Sequence, residues 1–353
     1  MQTSLAPAPA VADPARRDST ALPPLRPMTM GEILDRALGL FRSSFLRLFT
    51  VMLVFQAPMY ALQKSFQTLM QQKAPVLARP GAFRGALPDA EQLAWFFGGA
   101  AVLGVVTLAL YQLAVAALAT GAARGFLGER IEPGRALREA FTRAPQVLGT
   151  FLLLSLWTGL LLTLSIAPGA GLIAGGFLVF ESAGARIGAA VAGLLVVFGA
   201  LLVVGLYLML RYVLVTEVVM IEKLSFVRAL RRSARLMAGR VGPTFFDNCK
   251  VRASIVLAVT FCISISVAIV ASLPSYLVYA AFDVSPFNPE SFDPSLVPLW
   301  AMLPVEAFAV FCQTAVAPYG LLATIVFYFD VRIKREGFDL EFLATHLAPN
   351  PSR

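Results

Sequence analysis

Two stretches of this chain run without a charged residue for longer than a bilayer core is thick. Residues 94–120 span 27 positions and residues 187–210 span 24 with no Asp, Glu, Lys or Arg. About 20 apolar residues in a helix cross a hydrocarbon core of about 30 Å. In lipid the backbone must satisfy its own hydrogen bonds, and a helix does so. The chain is therefore predicted to be an all-α, polytopic integral membrane protein. Composition agrees, since only 14% of residues are charged and 58% are hydrophobic, against about 25% charged in a soluble domain.

Six spans are predicted, at 48–70, 94–120, 147–167, 187–215, 254–281 and 308–329. Pro58, Pro274 and Pro318 fall inside them, where each removes a backbone donor and neighbouring helices make the break tolerable. The Gly-rich apolar stretch 168–180 reads as an outer loop or a re-entrant segment. Residues 1–28 are Ala/Pro-rich and lack the apolar core of a signal peptide, so they are expected to form a disordered tail. Residues 29–345 form the membrane domain, and 346–353 a second tail.

The charges are asymmetric. Placing the N-terminal tail and the loops after spans two, four and six on one side puts 24 of the 29 Lys and Arg there. The positive-inside rule makes that side cytoplasmic, with both termini on it, in a cell (inner) membrane. The net charge of +8 is then loop charge, and no nucleic-acid partner is expected.

Three related segments precede spans one, three and five: Glu32-Ile-Leu-Asp-Arg-Ala37, Arg135-Ala-Leu-Arg-Glu-Ala140 and Arg228-Ala-Leu-Arg-Arg-Ser233. Thr29 and Glu32 match a helix capping box, and Pro133 suits a first turn. Each segment has one apolar and one charged helical face. The pattern predicts three parallel repeats, each an amphipathic interfacial helix plus a transmembrane hairpin, related by an axis along the membrane normal. The helices are expected near 30–46, 133–143 and 225–239, apolar faces toward acyl chains and arginines toward headgroups. Arg228, Arg231, Arg232, Arg235, Arg135 and Arg138 are the candidate headgroup ligands, and membrane phospholipids the expected partner.

Polar residues within the spans are the other candidates. Glu306 reads as an interfacial carboxylate or as a substrate or proton site. Gln313 and Thr314 lie deeper, beside a carbonyl that Pro318 would free, and could line a polar pocket or bond a neighbouring helix. Gln112 is expected to bond another helix. Asp247, Asn248, Lys250 and Arg252 read as an ion-paired start to span five. Ala100/Gly104, Ala117/Gly121 and Ala189/Gly193 have the spacing of close helix contacts. Cys262 and Cys312 are expected as small buried hydrophobes. With one His, His346, no metal site or cofactor is expected, and no catalytic motif is present.

Gly31-Glu32-Ile33-Leu34-Asp35-Arg36 and the run from Asp330 through Arg332, Lys334, Arg335, Glu336 and Gly337 to Glu341 resemble bacterial membrane proteins labelled as the membrane domain of glycerophosphoryl diester phosphodiesterases. The likeness covers residues 27–345. It implies a helical membrane domain. The catalytic barrel fused to such domains uses a His pair and acidic metal ligands, which a chain with one His lacks, so no phosphodiesterase activity is expected. The expected function is non-enzymatic: organising or sensing lipid, or serving as scaffold or accessory to an unidentified membrane protein. The alternative is a transporter or channel for a small or amphipathic solute.

Overall fold

The computed structural model describes residues 26–73, 89–241, 245–284, 297–338 and 340. The tails 1–25 and 341–353, and with them His346, lie outside the described residues. Along the chain come α1 (Met30–Lys73), α2 (Ala90–Phe126), α3 (Pro133–Thr142), α4 (Ala144–Val179), α5 (Ala183–Tyr212), α6 (Val215–Ile221), α7 (Phe226–Leu236), α8 (Cys249–Ala281) and α9 (Leu299–Glu336). No strand occurs among the described residues. Helices α1, α2, α4, α5, α8 and α9 are long and apolar enough to cross a membrane. The protein is a six-span, all-α membrane protein.

The helix starts follow the expected local chemistry. Glu32 accepts from the Thr29 N–H at 2.7 Å while Thr29 Oγ1 accepts from the Glu32 N–H at 3.3 Å, a reciprocal capping box. Pro133 occupies the first turn of α3. The segment expected as a separate helix at 30–46 instead runs on into the first span. The break falls at Ser44 (φ −125°, ψ 15°), beside Ser43, whose hydroxyl bonds the Leu40 carbonyl, a Ser pair of the kind that bends helices.

Two expectations are corrected. Residues 168–179 are neither loop nor re-entrant segment, because α4 continues through Pro168 to Val179. The glycines of that stretch are seated against α5. A Cβ on Gly169 would lie 2.7 Å from the Gly193 carbonyl oxygen, and one on Gly176 would lie 2.4 Å from the Ala189 Cβ. Ala189/Gly193 is thus a close seam, as its spacing implied, and Gly121 packs on Ile131 and Ala136, whereas Gly104 meets nothing within 4 Å. The second correction concerns cysteine: Cys249 is the buried one, while Cys262 is exposed and Cys312 half-buried. Cys262 and Cys312 lie on helices apolar enough to cross a membrane, and in lipid an apolar residue on an outward face gains little from burial in protein.

The core lies at one end of the bundle. Leu113–Ala123 of α2 and Leu322–Val331 of α9 are buried at every position, as helices enclosed on all sides are. Ala114, Ala116, Ala117, Ala119 and Ala122 keep α2 thin there. Phe126 stacks on Phe329 with centroids 4.6 Å apart, and Arg36 of α1 lies 5.4 Å over the Phe126 ring. These contacts gather the start of α1, the ends of α2 and α9, and the short helices at the same end, which is also the Arg-rich end. Toward the other end the bundle opens. Beyond Val147, Thr150, Leu208 and Leu210, the buried residues of α4 and α5 are only the seam glycines Gly169, Gly176 and Gly193.

Candidate functional site

Of the arginines expected to face headgroups, Arg228, Arg231 and Arg235 are exposed on α7, and Arg135 and Arg138 on α3. The apolar faces beneath them are largely covered by protein, which corrects that expectation in part, since Phe45, Phe141 and Val227 of the same faces stay exposed. Ala136, Ala140, Ala229, Leu230 and Leu236 are buried, as are Ile33 and Ala37 of α1, because these helices lie on the core just described.

Arg232 is held elsewhere. Its guanidinium donates to Glu222 at 2.7 Å and to Glu336 at 2.5 and 2.7 Å, and Glu336 first, then Glu222, push its pKa further up. Tyr328 also donates to Glu222 at 2.9 Å. Arg335 donates to the Arg235 and Leu236 carbonyls at 2.7 and 2.8 Å, closing the end of α7. The terminal run starting at Asp330 thus docks the last span on α7. Gly337 ends α9 in the left-handed conformation (φ 65°), which glycine adopts without a Cβ clash.

Asp330 itself is fully buried. It accepts from Arg252 at 2.9 Å, Lys334 at 3.0 Å and the Met28 N–H at 2.8 Å. Arg252 and Lys334 also donate to the Met28 carbonyl, at 3.0 and 2.6 Å. Met28, read from sequence as the end of a disordered tail, is buried in this cluster. The start of span five is ion-paired, as expected, through Arg252.

Glu306, Gln313 and Thr314 do not form one site. Glu306 makes an ion pair with Lys64 and accepts from the Tyr60 hydroxyl at 2.9 Å, joining α1 to α9 at the open end. Gln313 is exposed, and the buried Thr314 bonds its own helix at Val310.

Sequence reasoning missed what surrounds Arg135 and Arg138. A pocket of about 700 Å³ lies between α2, α3 and α6, and around it stand Arg124, Arg135, Arg138, Arg143 and Lys223 with one carboxylate, Glu139. Glu139 is already engaged with Arg124, and Arg135 lies 3.6 Å from it. Arg138, Arg143 and Lys223 have no carboxylate partner among the described residues. Lys223 has a left-handed backbone (φ 60°), uncommon for a residue with a Cβ; there the chain turns from α6 into α7. Arg124 and Arg143 were legible only as charges flanking α3, and Lys223 only as loop charge.

A second hollow, about 420 Å³, lies between α2, α4, α5 and α6. Gln112, expected to bond another helix, faces this hollow and has no hydrogen-bond partner among the described residues. Glu217, also missed, is buried with one carboxylate oxygen accepting from Thr324 at 3.1 Å and the other without a partner. No group of three or more His, Cys, Asp and Glu able to hold a metal ion comes together among the described residues.

No protein-family model, no curated protein and no solved structure matches this chain.

Proposed function

We propose that this protein binds anionic phospholipid headgroups at its Arg-rich end and acts without enzymatic activity, organising or sensing lipid alone or as accessory to another membrane protein. The carrying observation is the pocket in which five cationic side chains face one carboxylate that is already engaged. Basic pockets between spans on the cytoplasmic side suit phosphate-bearing headgroups, and Arg presents paired donors to phosphate oxygens. In this reading the Arg-rich end is cytoplasmic, as the positive-inside rule requires.

The same reading takes the chain as three related units, each a short amphipathic helix followed by a hairpin. Support comes from the pairing of consecutive spans, α4 with α5, α8 with α9 and α1 with α2, with α1 packing on α9 as closely as on α2. The breaks before the first two spans are also alike in backbone conformation, with Ser44 at φ −125°, ψ 15° and Arg143 at φ −102°, ψ 9°. The likeness of Gly31–Arg36 and the terminal run to phosphodiesterase-associated membrane domains fits this proposal, with no hydrolysis implied.

The polar lining of the second hollow favours transport as the other reading. Transport needs a path to the far end, whereas the hollow's lining ends at Leu162 and Gly205.

The test is to purify the full chain gently from a membrane of mixed lipids and quantify the lipids that stay bound. Headgroup binding predicts enrichment of anionic over zwitterionic lipid relative to the bulk membrane. A bound fraction with bulk composition would contradict it.

A further inference from the structure

The two hollows lie end to end. Arg143 lines the basic pocket, and Val147 and Thr150, further along the same side of the bundle, line the second hollow. Met220 belongs to the first and its neighbour Val219 to the second. On α2, Thr120 lines the first, and Gln112, two turns back, the second. At about 1.5 Å per helical residue, Thr150 lies about 10 Å beyond Arg143 and Leu162 about 28 Å beyond it.

The lining changes in order along that path. Cations stand at the end, then the Thr216 hydroxyl, then Gln112 and Ser155, then Leu162 and Gly205, while the Thr150 hydroxyl is taken up by the Gln146 carbonyl and the Phe226 N–H. Thr216, Gln112 and Ser155 are half-buried donors that line the hollow without a hydrogen-bond partner among the described residues, so they are free to donate to a molecule within it. The hollow is also of ligand size, since binding pockets run about 300–1,000 Å³.

Resting on the headgroup reading above, we infer that the two hollows take one molecule lengthwise: a single anionic glycerophospholipid. Its phosphate sits among Arg138, Arg143 and Lys223, its ester carbonyls accept from Thr216 and Gln112, and one acyl chain runs past Ser155 to Leu162. Charge complementarity fixes the headgroup end, and the graded lining fixes the direction of the chain. A free anion or a soluble phosphate ester would fill only the basic pocket.

The experiment is native mass spectrometry of the full chain in non-ionic detergent, titrated with palmitoyl-oleoyl-phosphatidylglycerol and, separately, with dihexanoyl-phosphatidylglycerol. One long-chain molecule should be retained, at least about tenfold more tightly than the six-carbon analogue, because chain burial adds to headgroup binding. Gly205→Leu fills the hollow from α5, where a Cβ has room, its nearest neighbour being Leu162 Cδ2 at 3.9 Å; Ser155→Leu fills it from α4. Either should bring the long-chain affinity down toward that of the short-chain lipid, and Gly205→Leu, deeper than a six-carbon chain reaches, should leave short-chain binding unchanged. Full long-chain affinity in both variants would overturn the lengthwise site and leave the headgroup reading standing. Failure of the unsubstituted protein to bind either lipid would remove both. Should both variants fold poorly, phosphatidylglycerol carrying a mid-chain diazirine is crosslinked to the unsubstituted protein. Labelling within 151–162 and 205–213 supports the inference, and labelling confined elsewhere overturns it.

Discussion

The Arg252 guanidinium donates to the Asp330 carboxylate at 2.9 Å, with side chains 6% and 0% exposed. This pair ties the first turn of α8 to the last turns of α9, and through Met28 it also anchors the chain entering α1. Removing one member of a buried ion pair strands the other's charge and costs about 3–5 kcal/mol. Arg252→Met leaves Asp330 with Lys334 and should fall at the low end, while Asp330→Leu strands two cations and should cost more. The double variant should be less destabilised than the sum of the singles. Thermal unfolding in detergent reads all three, and values within about 0.5 kcal/mol of the unsubstituted protein would remove the cluster's structural role.

Arg232 looks like its exposed neighbours on the helix wheel yet should behave unlike them. Arg232→Gln should lower stability by about 1.5–3 kcal/mol, the range for hydrogen bonds to charged groups. Arg232→Lys should not restore it, because a single ammonium cannot serve both carboxylates in the same geometry. Binding of phosphatidylglycerol should stay within about twofold in both. Lost lipid binding with unchanged stability would mean that Arg232 faces headgroups after all.

The α4–α5 seam makes Gly176 intolerant of a side chain. Gly176→Leu should cost about 1–3 kcal/mol, as overpacking does, since a Cβ there would already lie 2.4 Å from Ala189 Cβ. Ala189→Gly should relieve part of the cost of Gly176→Ala. Cysteine crosslinking between α4 and α5 reads the same contact, and an unperturbed hairpin in Gly176→Leu would show that the helices lie further apart.

Glu306 separates the structural tie from a transport role. With Lys64 and Glu306 about a quarter exposed, the pair is partly screened, and Glu306→Gln should cost no more than about 1 kcal/mol. Its effect should shrink in a Lys64→Met background, as a shared contact requires. Loss of a proton-coupled flux at normal expression would instead support the transporter reading.

What the sequence revealed and what it hid divide along contact range. The spans were legible because absence of charge is a local property, and the capping box at Thr29 and Glu32 because its partners are three residues apart. The helical course of 168–179 was hidden, since Gly169 and Gly176 read as loop residues until Gly193 and Ala189 are placed against them. Helix α6 was hidden because Glu217 interrupts an apolar run, and its partner Thr324 lies 107 residues away. The α7 arginines were legible as an exposed face except Arg232, whose carboxylates are 10 and 104 residues distant. The basic pocket joins Arg124, Arg143 and Lys223 from separate elements, so no periodicity could have assembled it.

Headgroup binding by the cations of the pocket underlies the proposed function. Its most direct test is the shift in unfolding temperature when phosphatidylglycerol, and separately phosphatidylcholine, is added to the full chain and to an Arg138→Gln/Arg143→Gln/Lys223→Gln variant. Ligand that binds the folded state raises that temperature. The unsubstituted protein should be stabilised by phosphatidylglycerol well beyond phosphatidylcholine, and the triple variant, folded without lipid, should lose that difference. A triple variant stabilised as much as the unsubstituted protein would contradict headgroup binding by these cations.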